Sequence, residues 1–354
     1  MKKVAVIGHF GFGMECLDGQ TVKTKILTKA LCDRFGERFV LKMDTHGWSK
    51  KPIRFFCEVF GTTKKAENVL ILPAQNGLRV IVPLLAISSW FHKQCRLHYS
   101  VIGGWLPAFL QNHSRLKKWL SRFTGIYVET HGMKADLEEQ GVSNVYVMPN
   151  CKELKILATE ELVMDHQEPY KLCTFSRVMQ EKGIADVVTA VKAVNERLGR
   201  TVFILDIYGQ VAQDQTEWFD QLQREFTEGI RYCGAVPFDR SVDVLKNYFA
   251  LLFPTRFYTE GIPGTVIDAY AAGLPVIASE WENFAEMIEH GVTGYGYSFD
   301  DVHALSDILL EVALAPHKIL SLKNNCLQRA ERYLPQQVID VLRLDGEEDA
   351  ICGQ

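Results

Sequence analysis

The sequence contains no apolar run of the roughly 18 residues that a membrane-spanning helix needs. The longest candidate, residues 80–91, is interrupted by a proline and two serines and predicts a buried helix or a shallow membrane contact. Met1-Lys2-Lys3 leads directly into the strand-like segment 4–7, without the longer apolar core and small-residue cleavage site of a signal peptide. We therefore expect a cytoplasmic protein.

Regular cysteine spacing, internal repeats and low-complexity runs are absent as well. The nine cysteines include no Cys-x-x-Cys pair, and their spacing fits neither a zinc site nor a disulfide framework. We interpret them as scattered, reduced core residues. The sequence also has no Asp-x-Asp motif of the kind that holds a metal ion.

What the sequence does have is an uneven distribution of charge. Residues 1–150 contain 21 Lys and Arg but 11 Asp and Glu, a net charge of +10, whereas the remainder of the chain carries −14. Such an asymmetry indicates that the basic half faces an anionic partner. We expect a membrane surface rather than nucleic acid to be that partner.

Strand-like apolar runs alternate with helix-like stretches, which predicts an α/β protein with parallel sheets covered on both faces. Predicted strands lie at 4–7, 69–72, 126–128, 145–147, 172–175, 203–207, 251–253 and 276–278, and predicted helices at 21–35, 185–197 and 218–226. The length of 354 residues suggests about two domains. We place them at 1–150 and 151–335, followed by a helix and tail at 336–354 that can pack on either domain.

The first candidate site is the loop at 176–183, between a predicted strand and a predicted helix. Arg177 and Lys182 stand five residues apart on this loop. Arginine can bind two oxygens at once, lysine acts as a point charge, and the helix amino terminus adds partial positive charge. The loop therefore suits a diphosphate, although two solvated surface cations are an alternative interpretation.

The second candidate site is the segment 257–279, which predicts a strand end, a Gly/Pro loop, a short helix and another strand. Glu260 and Asp268 stand eight residues apart, and Gly261 and Gly264 allow the backbone amides to approach phosphate or sugar oxygens. A structural alternative is a capping box formed by Thr265 and Asp268. That alternative leaves the glycine- and proline-containing entry to the helix unexplained.

Both segments resemble the retaining GT-B glycosyltransferases with the Glu-x7-Glu signature, the large family that includes sucrose and glycogen synthases. The family pattern E-G-x-P-x4-E-A-x-A-x-G-x-P-V-I-A-S stands here as EGIPGTVIDAYAAGLPVIAS at 260–279. Arg177 and Lys182 match the R-x4-K-G loop, and 279–294 matches S-x6-E-x-I-x-x-G-x-x-G, which places Glu286. The resemblance covers most of 171–300.

The resemblance implies two doubly wound Rossmann-like domains that face each other across a cleft, with a nucleoside-diphosphate sugar bound by the second. It assigns catalysis to Arg177, Lys182 and Glu260, with Glu260 beside the donor sugar. Asp268, one methylene shorter than the usual glutamate, is expected to bond the donor ribose. The other donor-binding candidates are Gly19, Gly209, Val236, Gly261, Ile262, Pro263, Gly264 and Thr265.

The first half matches this family more loosely. A glycine-rich loop at 8–13 follows the first strand, and Gly19, in the segment 18–21 that opens the first helix, is expected near the donor phosphate. Gly103 and Gly104 stand where many family members carry a cleft histidine. The nearest substitutes and a further acceptor-side candidate are His98, His131 and Glu129, although Glu129 could equally be a plain cap.

The predicted reaction transfers a sugar from a nucleotide sugar to a hydroxyl of a saccharide or lipid-linked acceptor, without a cofactor. Arg177, Lys182 and loop amides would stabilise the charge on the leaving diphosphate, so no metal is expected. Retention of configuration, and a setting in bacterial surface polysaccharide or glycolipid synthesis, follow from the resemblance alone. The alternatives are an epimerase or phosphorylase of the same fold and a non-catalytic nucleotide-sugar-binding protein.

Residues 110–123 predict an amphipathic helix. Its apolar face carries Leu116, Trp119, Leu120 and Phe123, and its basic face carries Arg115, Lys118 and Arg122. Such a helix can lie in an anionic membrane interface, which would place the protein on the inner face of the membrane. The alternative is that the apolar face packs on its own domain.

Overall fold

Two six-stranded parallel sheets organise the chain. The computed structural model describes residues 1–13 and 19–344; the predicted tail at 345–354 and the start of the predicted helix opening at 18 lie outside the described residues. The chain divides into a first unit, Met1–Glu153 with the chain from Leu334, and a second unit, Leu154–Tyr333. The sequence predicts these boundaries after residues 150 and 335.

The first unit alternates strands and helices. Its strands are β1 (Lys2–Gly8), β2 (Val40–Asp44), β3 (Ala66–Ile71), β4 (Arg96–Ser100), β5 (Gly125–Val128) and β6 (Val145–Val147). Its helices are α1 (Gly19–Phe35), α2 (Pro52–Lys65), α3 (Gln75–Phe91), α4 (Leu106–Gln111), α5 (Ser114–Leu120), α6 (His131–Glu139) and, from the end of the chain, α15 (Pro335–Ile339).

The second unit repeats this alternation. Its strands are β7 (Tyr170–Phe175), β8 (Phe203–Tyr208), β9 (Ile230–Gly234), β10 (Ala250–Phe253), β11 (Val276–Ser279) and β12 (Gly294–Tyr297). Its helices are α7 (Ile184–Leu198), α8 (Thr216–Gln223), α9 (Ser241–Leu245), α10 (Gly264–Ala271), α11 (Phe284–Met287), α12 (Val302–Leu314), α13 (His317–Leu320) and α14 (Lys323–Ala330).

The strand order gives each sheet one point where the direction of winding reverses. The orders are β2-β1-β3-β4-β5-β6 and β12-β11-β10-β7-β8-β9, and all pairings are parallel. The chain therefore reverses between β1 and β3 in the first unit and between β7 and β10 in the second. Open parallel sheets bind ligands beyond the carboxyl ends of their strands at such points.

The central strand of the first sheet shows why it is buried on both faces. Val4 and Val6 pack with residues of α1 and α15, whereas Ala5 and Ile7 pack with residues of α2 and α3. Alternate residues of a strand point to opposite faces, so a strand covered by helices on both sides is a continuous apolar run.

The predicted membrane-facing helix at 110–123 is wrong. The chain forms two short helices there, α4 and α5, interrupted at Asn112 and His113. Leu116, Leu120 and Phe123 are buried in the core of the first unit. The apolar face is therefore already covered by its own domain and has nothing left to insert into a lipid surface. No helix in the described ranges is long and apolar enough to cross a membrane.

Candidate functional site

An ion pair joins the loops that follow β7 and β10, at the reversal point of the second sheet. Lys182 Nζ lies 2.6 Å from Glu260 Oε2, and only 16% and 20% of the two side chains are exposed. The same ammonium lies 4.9 Å from the ring centroid of Phe257 and 5.6 Å from that of Phe253. Aromatic faces attract cations, so the lysine is held by one carboxylate and two rings. The structure thus brings together two of the three predicted catalytic residues.

Buried polar side chains fix the orientation of Glu260. The hydroxyl of Thr255 donates to Glu260 Oε2 at 3.1 Å, and the side-chain amide of Asn283 donates to the Glu260 carbonyl at 2.9 Å. Ser279 in turn donates to the carbonyl of Thr255 at 2.6 Å. Thr255 and Asn283 were not singled out from the sequence, because nothing local distinguishes them from other loop residues.

A second ion pair ties the same two loops together. The guanidinium of Arg256 donates to both carboxylate oxygens of Asp186, at 2.7 and 2.9 Å, and the Arg256 backbone N–H donates to the Glu181 carbonyl at 2.8 Å. Burial raises the pKa of Asp186, and the Arg256 hydrogen bonds oppose that rise. The bidentate contact links the first turn of α7 to the loop after β10 and so sets the spacing between Lys182 and Glu260.

Two glycines allow the loops to approach this closely. Gly183 has a φ of 67°, and a Cβ at this position would lie 2.0 Å from the carbonyl oxygen of Pro254. Gly209, a predicted donor-binding residue after β8, has a φ of 136°, and a Cβ there would lie 1.7 Å from the carbonyl oxygen of Ser176. A side chain at either position would force the loops apart.

Arg177 lies two residues beyond the end of β7. Its side chain is exposed and makes no hydrogen bond or ion pair with another residue in the described ranges. This differs from Lys182, which is held in place on the same loop. The guanidinium is therefore available to an anionic ligand.

Helix α10 begins against the end of β7. The hydroxyl of Thr265 donates to the carbonyl of Phe175 at 2.6 Å. Thr265 lies inside the helix, after the cap residue Pro263, so the capping box with Asp268 does not form. The first N–H groups of a helix, here those of Gly264 and Thr265, have no acceptor within it. They are directed out of the helix at the same sheet edge.

The other predicted donor residues surround this edge. Gly261, Ile262 and Pro263 form the buried turn before α10, and Asp268 is buried within α10. Val236 is half-buried in the loop after β9. Glu286 lies on α11.

A polar network that sequence reasoning missed lies beneath the end of β8. The hydroxyl of Tyr248 contacts the Tyr208 hydroxyl at 2.8 Å and donates to Asp206 at 2.5 Å, and Arg231 also donates to Asp206. Burial alone would raise the pKa of Asp206, but the hydrogen bonds from Arg231 and Tyr248 bring it below its usual value. Tyr232 donates to the Gly209 carbonyl at 2.8 Å, so this network supports the turn that holds Gly209.

A cavity of about 310 Å³ lies at the carboxyl ends of β1, β2 and β3, at the reversal point of the first sheet. His9 and His46 line it, with His9 Nε2 3.1 Å from His46 Nδ1. Gln20, Trp48 and Asn76 add amide groups and an indole ring to the wall. Sequence reasoning missed this cavity, although His9 directly follows the first strand.

The predicted acceptor-side residues of the first unit do not form a common site. His98 is fully buried on β4, between the Tyr127 hydroxyl at 3.0 Å and Asn68 Oδ1 at 3.1 Å, and burial lowers its pKa to about 3. The prediction that His98 meets the acceptor is wrong, because no ligand can reach its ring. His131 is the exposed first residue of α6.

Glu129 is buried as well, which contradicts its predicted role as an acceptor contact. Its carboxylate lies 2.7 Å from Lys23 Nζ, and that ammonium also donates to the Val101 carbonyl at 2.8 Å. The two side chains are 3% and 2% exposed, so the pair is internal to the unit. Gly19 is the exposed first residue of α1, and a Cβ there would meet open space.

The described ranges contain no group of three His, Cys, Asp or Glu side chains that could hold a metal ion.

The second unit is similar to known glycosyltransferases. Residues 169–314 match a family model described as "Glycosyl transferases group 1". The amylovoran biosynthesis glycosyltransferase AmsK of Erwinia amylovora is 27% identical over 151 residues, which are 41% of this chain and 36% of that protein. The chain thus matches little more than a third of that relative's length. The residues matched by the family model lie within the second unit.

Solved structures resemble the whole chain. Alr3699/HepE of Anabaena, in complex with UDP, has a TM-score of 0.74 at 14% identity and covers 96% of this chain and 98% of its own. Sucrose-phosphate synthase of Thermosynechococcus elongatus has a TM-score of 0.71 at 14% identity, covering 96% of each chain. These similarities confirm the predicted two-domain α/β fold of the GT-B glycosyltransferases.

Proposed function

We propose that the protein transfers a glycosyl unit from a nucleoside-diphosphate sugar to a hydroxyl acceptor. The observation that carries this proposal is the Lys182–Glu260 pair at the reversal point of the second sheet, inside the glycosyltransferase group 1 segment. Its position matches the edge at which open parallel sheets bind ligands. The relatives support a nucleotide-sugar donor, since Alr3699/HepE has been solved with UDP and with UDP-glucose.

In this proposal the cations stabilise the leaving diphosphate. Negative charge grows on the diphosphate as the bond to the sugar breaks, and donors already in position stabilise it most effectively. The exposed Arg177 binds two phosphate oxygens, and Lys182 supplies a point charge from the same loop. The N–H groups of Gly264 and Thr265 add partial positive charge, so the reaction needs no divalent metal.

Glu260 has two tasks in the proposed reaction. Its carboxylate, which accepts a hydrogen bond from Thr255, holds the Lys182 ammonium in the orientation that meets the diphosphate, and Asn283 fixes the Glu260 backbone. Its second oxygen accepts a hydrogen bond from a hydroxyl of the donor sugar. Asp268 binds the donor ribose from within α10, and the buried turn at Gly261 lies against the nucleotide. Transfer proceeds with retention of configuration, with the acceptor attacking on the side from which the diphosphate leaves.

We further assign the acceptor to the first unit, in the cavity lined by His9 and His46. Trp48 offers a ring face to an apolar sugar surface, and the histidines, Gln20 and Asn76 offer hydrogen bonds to hydroxyls. The name of the AmsK relative supports a role in polysaccharide synthesis, and we propose bacterial surface polysaccharide or glycolipid as the product.

A screen of nucleotide sugars tests this function. Purified protein is incubated without acceptor, and slow release of the nucleoside diphosphate is measured for each donor. We expect one donor class to be hydrolysed by the wild type and not by the double variant Arg177→Ala/Lys182→Ala. Lys192→Ala, a lysine in the middle of α7 that donates to the Glu225 carbonyl, is the matched control and keeps full activity.

The product anomer, followed by NMR during transfer to an acceptor, tests retention separately. Absence of both hydrolysis and binding for every donor in the screen would contradict the proposed function.

A further inference from the structure

The basic charge of the first unit is concentrated in one part of it. Residues 47–128 contain twelve Lys and Arg but only two Asp and Glu, a net charge of +10. The rest of residues 1–150 is therefore neutral. Both of the acids are already paired, Glu58 with Arg54 at 2.7 Å and Glu67 with Lys3 at 2.9 Å. Ten of the twelve cations are exposed to solvent, and Arg96 and Lys117 are half-buried.

The same segment carries an exposed apolar surface. Six of the twelve exposed large hydrophobic residues in the described chain lie on two neighbouring helices: Ile53, Phe56 and Phe60 on α2, and Ile87, Trp90 and Phe91 on α3. We call these six residues the α2–α3 face. Their spacings of three and four residues place them on one side of each helix. The ring centroids of Phe60 and Phe91 are 6.0 Å apart, so the two stripes meet.

Cations border the α2–α3 face directly. The guanidinium of Arg122 lies 5.7 Å from the ring centroid of Trp90. Lys64 and Lys93 line the same cavity of about 420 Å³ as Trp90 and Phe91. Both lysines are exposed, and neither forms an ion pair with any residue of the described ranges 1–13 and 19–344. Surfaces that bind anionic lipid typically combine exposed aromatic side chains with neighbouring Lys and Arg.

We infer that the α2–α3 face docks on an anionic membrane surface. Aromatic and aliphatic side chains enter the headgroup boundary, while Lys64, Lys93 and Arg122 lie against lipid phosphates. A second copy of the chain fits this face poorly, because two faces of the same positive charge would repel each other. The inference rests on the proposed function only for the biological role of docking, which is access to a lipid-linked acceptor. Binding to lipid does not itself depend on catalysis.

The size of the effect follows from the residues involved. Each Lys or Arg near an anionic surface strengthens binding about fivefold. Three cations therefore give about a hundredfold preference for anionic over neutral vesicles, and the exposed rings add to it. Salt screens charges within about 10 Å at 0.1 M, so binding weakens as ionic strength rises.

Co-sedimentation with vesicles tests the inference. Full-length protein is mixed with phosphatidylcholine vesicles, with or without phosphatidylglycerol, at low and at high salt. Trp90→Ser/Phe91→Ser and Lys64→Glu/Lys93→Glu should each bind anionic vesicles at least tenfold more weakly than the wild type. Leu314→Ser removes a side chain as exposed as Phe91, 70% in each case, from the second unit and should bind normally. Lys155→Glu/Arg224→Glu is the matched charge control.

The outcomes separate this inference from the proposed function. Donor hydrolysis in solution is measured for every variant and should remain at the wild-type level, because all the substituted side chains are exposed and outside the donor site. Equal binding by all variants, or no preference for anionic vesicles, overturns the inference and leaves the function intact. Conversion of a wild-type dimer to a monomer by the Trp90 and Phe91 substitutions, without lipid binding, would assign the face to a second copy instead.

Discussion

The two units share one sheet topology, yet their reversal points differ in chemistry. In the second unit, a lysine and a glutamate meet at the sheet edge where α10 begins, and the loop that carries the lysine also carries an exposed arginine. In the first, two histidines, amides and an indole line a cavity. The arrangement in the second unit suits an anionic donor, and the cavity in the first unit suits a neutral, hydroxyl-rich acceptor. The proposed function thus assigns two binding tasks to one scaffold, through the loops that follow its strands.

Each unit also contains one well-packed lysine–glutamate pair, and the two pairs differ in burial. Lys23–Glu129 is almost fully buried in the first unit, whereas Lys182–Glu260 keeps about a fifth of its side-chain surface exposed in the second. Removing one partner of a pair that solvent cannot reach leaves an uncompensated buried charge, whereas a pair at an open sheet edge can exchange partners with a ligand. Substitutions can separate these two roles.

The largest expected effect is on stability, at the buried pair. Glu129→Gln leaves the Lys23 ammonium buried without a counter-charge and should lower the free energy of unfolding by about 3–5 kcal/mol. Glu153→Gln is the control, because Glu153 pairs with Lys29 on the surface and should cost less than about 1 kcal/mol. Urea unfolding followed by circular dichroism measures both. A loss below about 1 kcal/mol for Glu129→Gln would show that the pair has no structural role.

The next largest effect is on catalysis, at the open pair. Lys182→Ala and Arg177→Ala should each cost about 3 kcal/mol of transition-state stabilisation, which is roughly a hundredfold loss in kcat/KM. Their unfolding free energies should stay close to that of the wild type. Steady-state assays with the preferred donor measure the loss. Turnover within threefold of wild type in both variants would show that these residues do not belong to the donor site.

A smaller effect is expected at the cavity of the first unit. His46→Ala removes a ring that can hydrogen-bond an acceptor hydroxyl, so the KM for acceptor should rise about tenfold, the value of one such contact. Donor hydrolysis without acceptor should not change. His317→Ala, an exposed histidine of the second unit, is the control. An unchanged KM for the acceptor would show that the acceptor does not bind in this cavity.

No effect at all is expected from removing divalent metal. The cations and the helix amino terminus already supply positive charge to the diphosphate, so excess chelator should leave the rate of transfer unchanged. Complete loss of transfer, restored by magnesium or manganese, would mean that the diphosphate site has been misinterpreted.

In the second unit, local sequence patterns predicted the two loops that carry the candidate site residues. The loop at 176–183 and the segment 257–279 are continuous in sequence, so their motifs could be recognised before their contacts were known. The Arg256–Asp186 pair could not be predicted, because its partners are 70 residues apart and neither belongs to a motif. Thr255 and Asn283 could not be singled out for a different reason, because nothing local distinguishes them from other loop residues.

The first unit was harder to interpret, and the errors have physical causes. An apolar face at helical spacing looks the same whether it packs on a core or on lipid, so residues 110–123 were assigned to a membrane that they do not face. His98 lies within β4, where the sheet buries it, rather than in the loop beyond the strand. The histidines of the cavity come from loops after different strands, and only the folded sheet brings them together.

Binding of a nucleoside diphosphate tests the central claim most directly. Isothermal titration of the wild type, Lys182→Ala and Lys192→Ala with the diphosphate of the preferred donor compares two lysines of the same unit without requiring turnover. The account predicts binding at least tenfold weaker for Lys182→Ala and unchanged for Lys192→Ala. Equal affinity for all three proteins would contradict a diphosphate site at the reversal point of the second sheet.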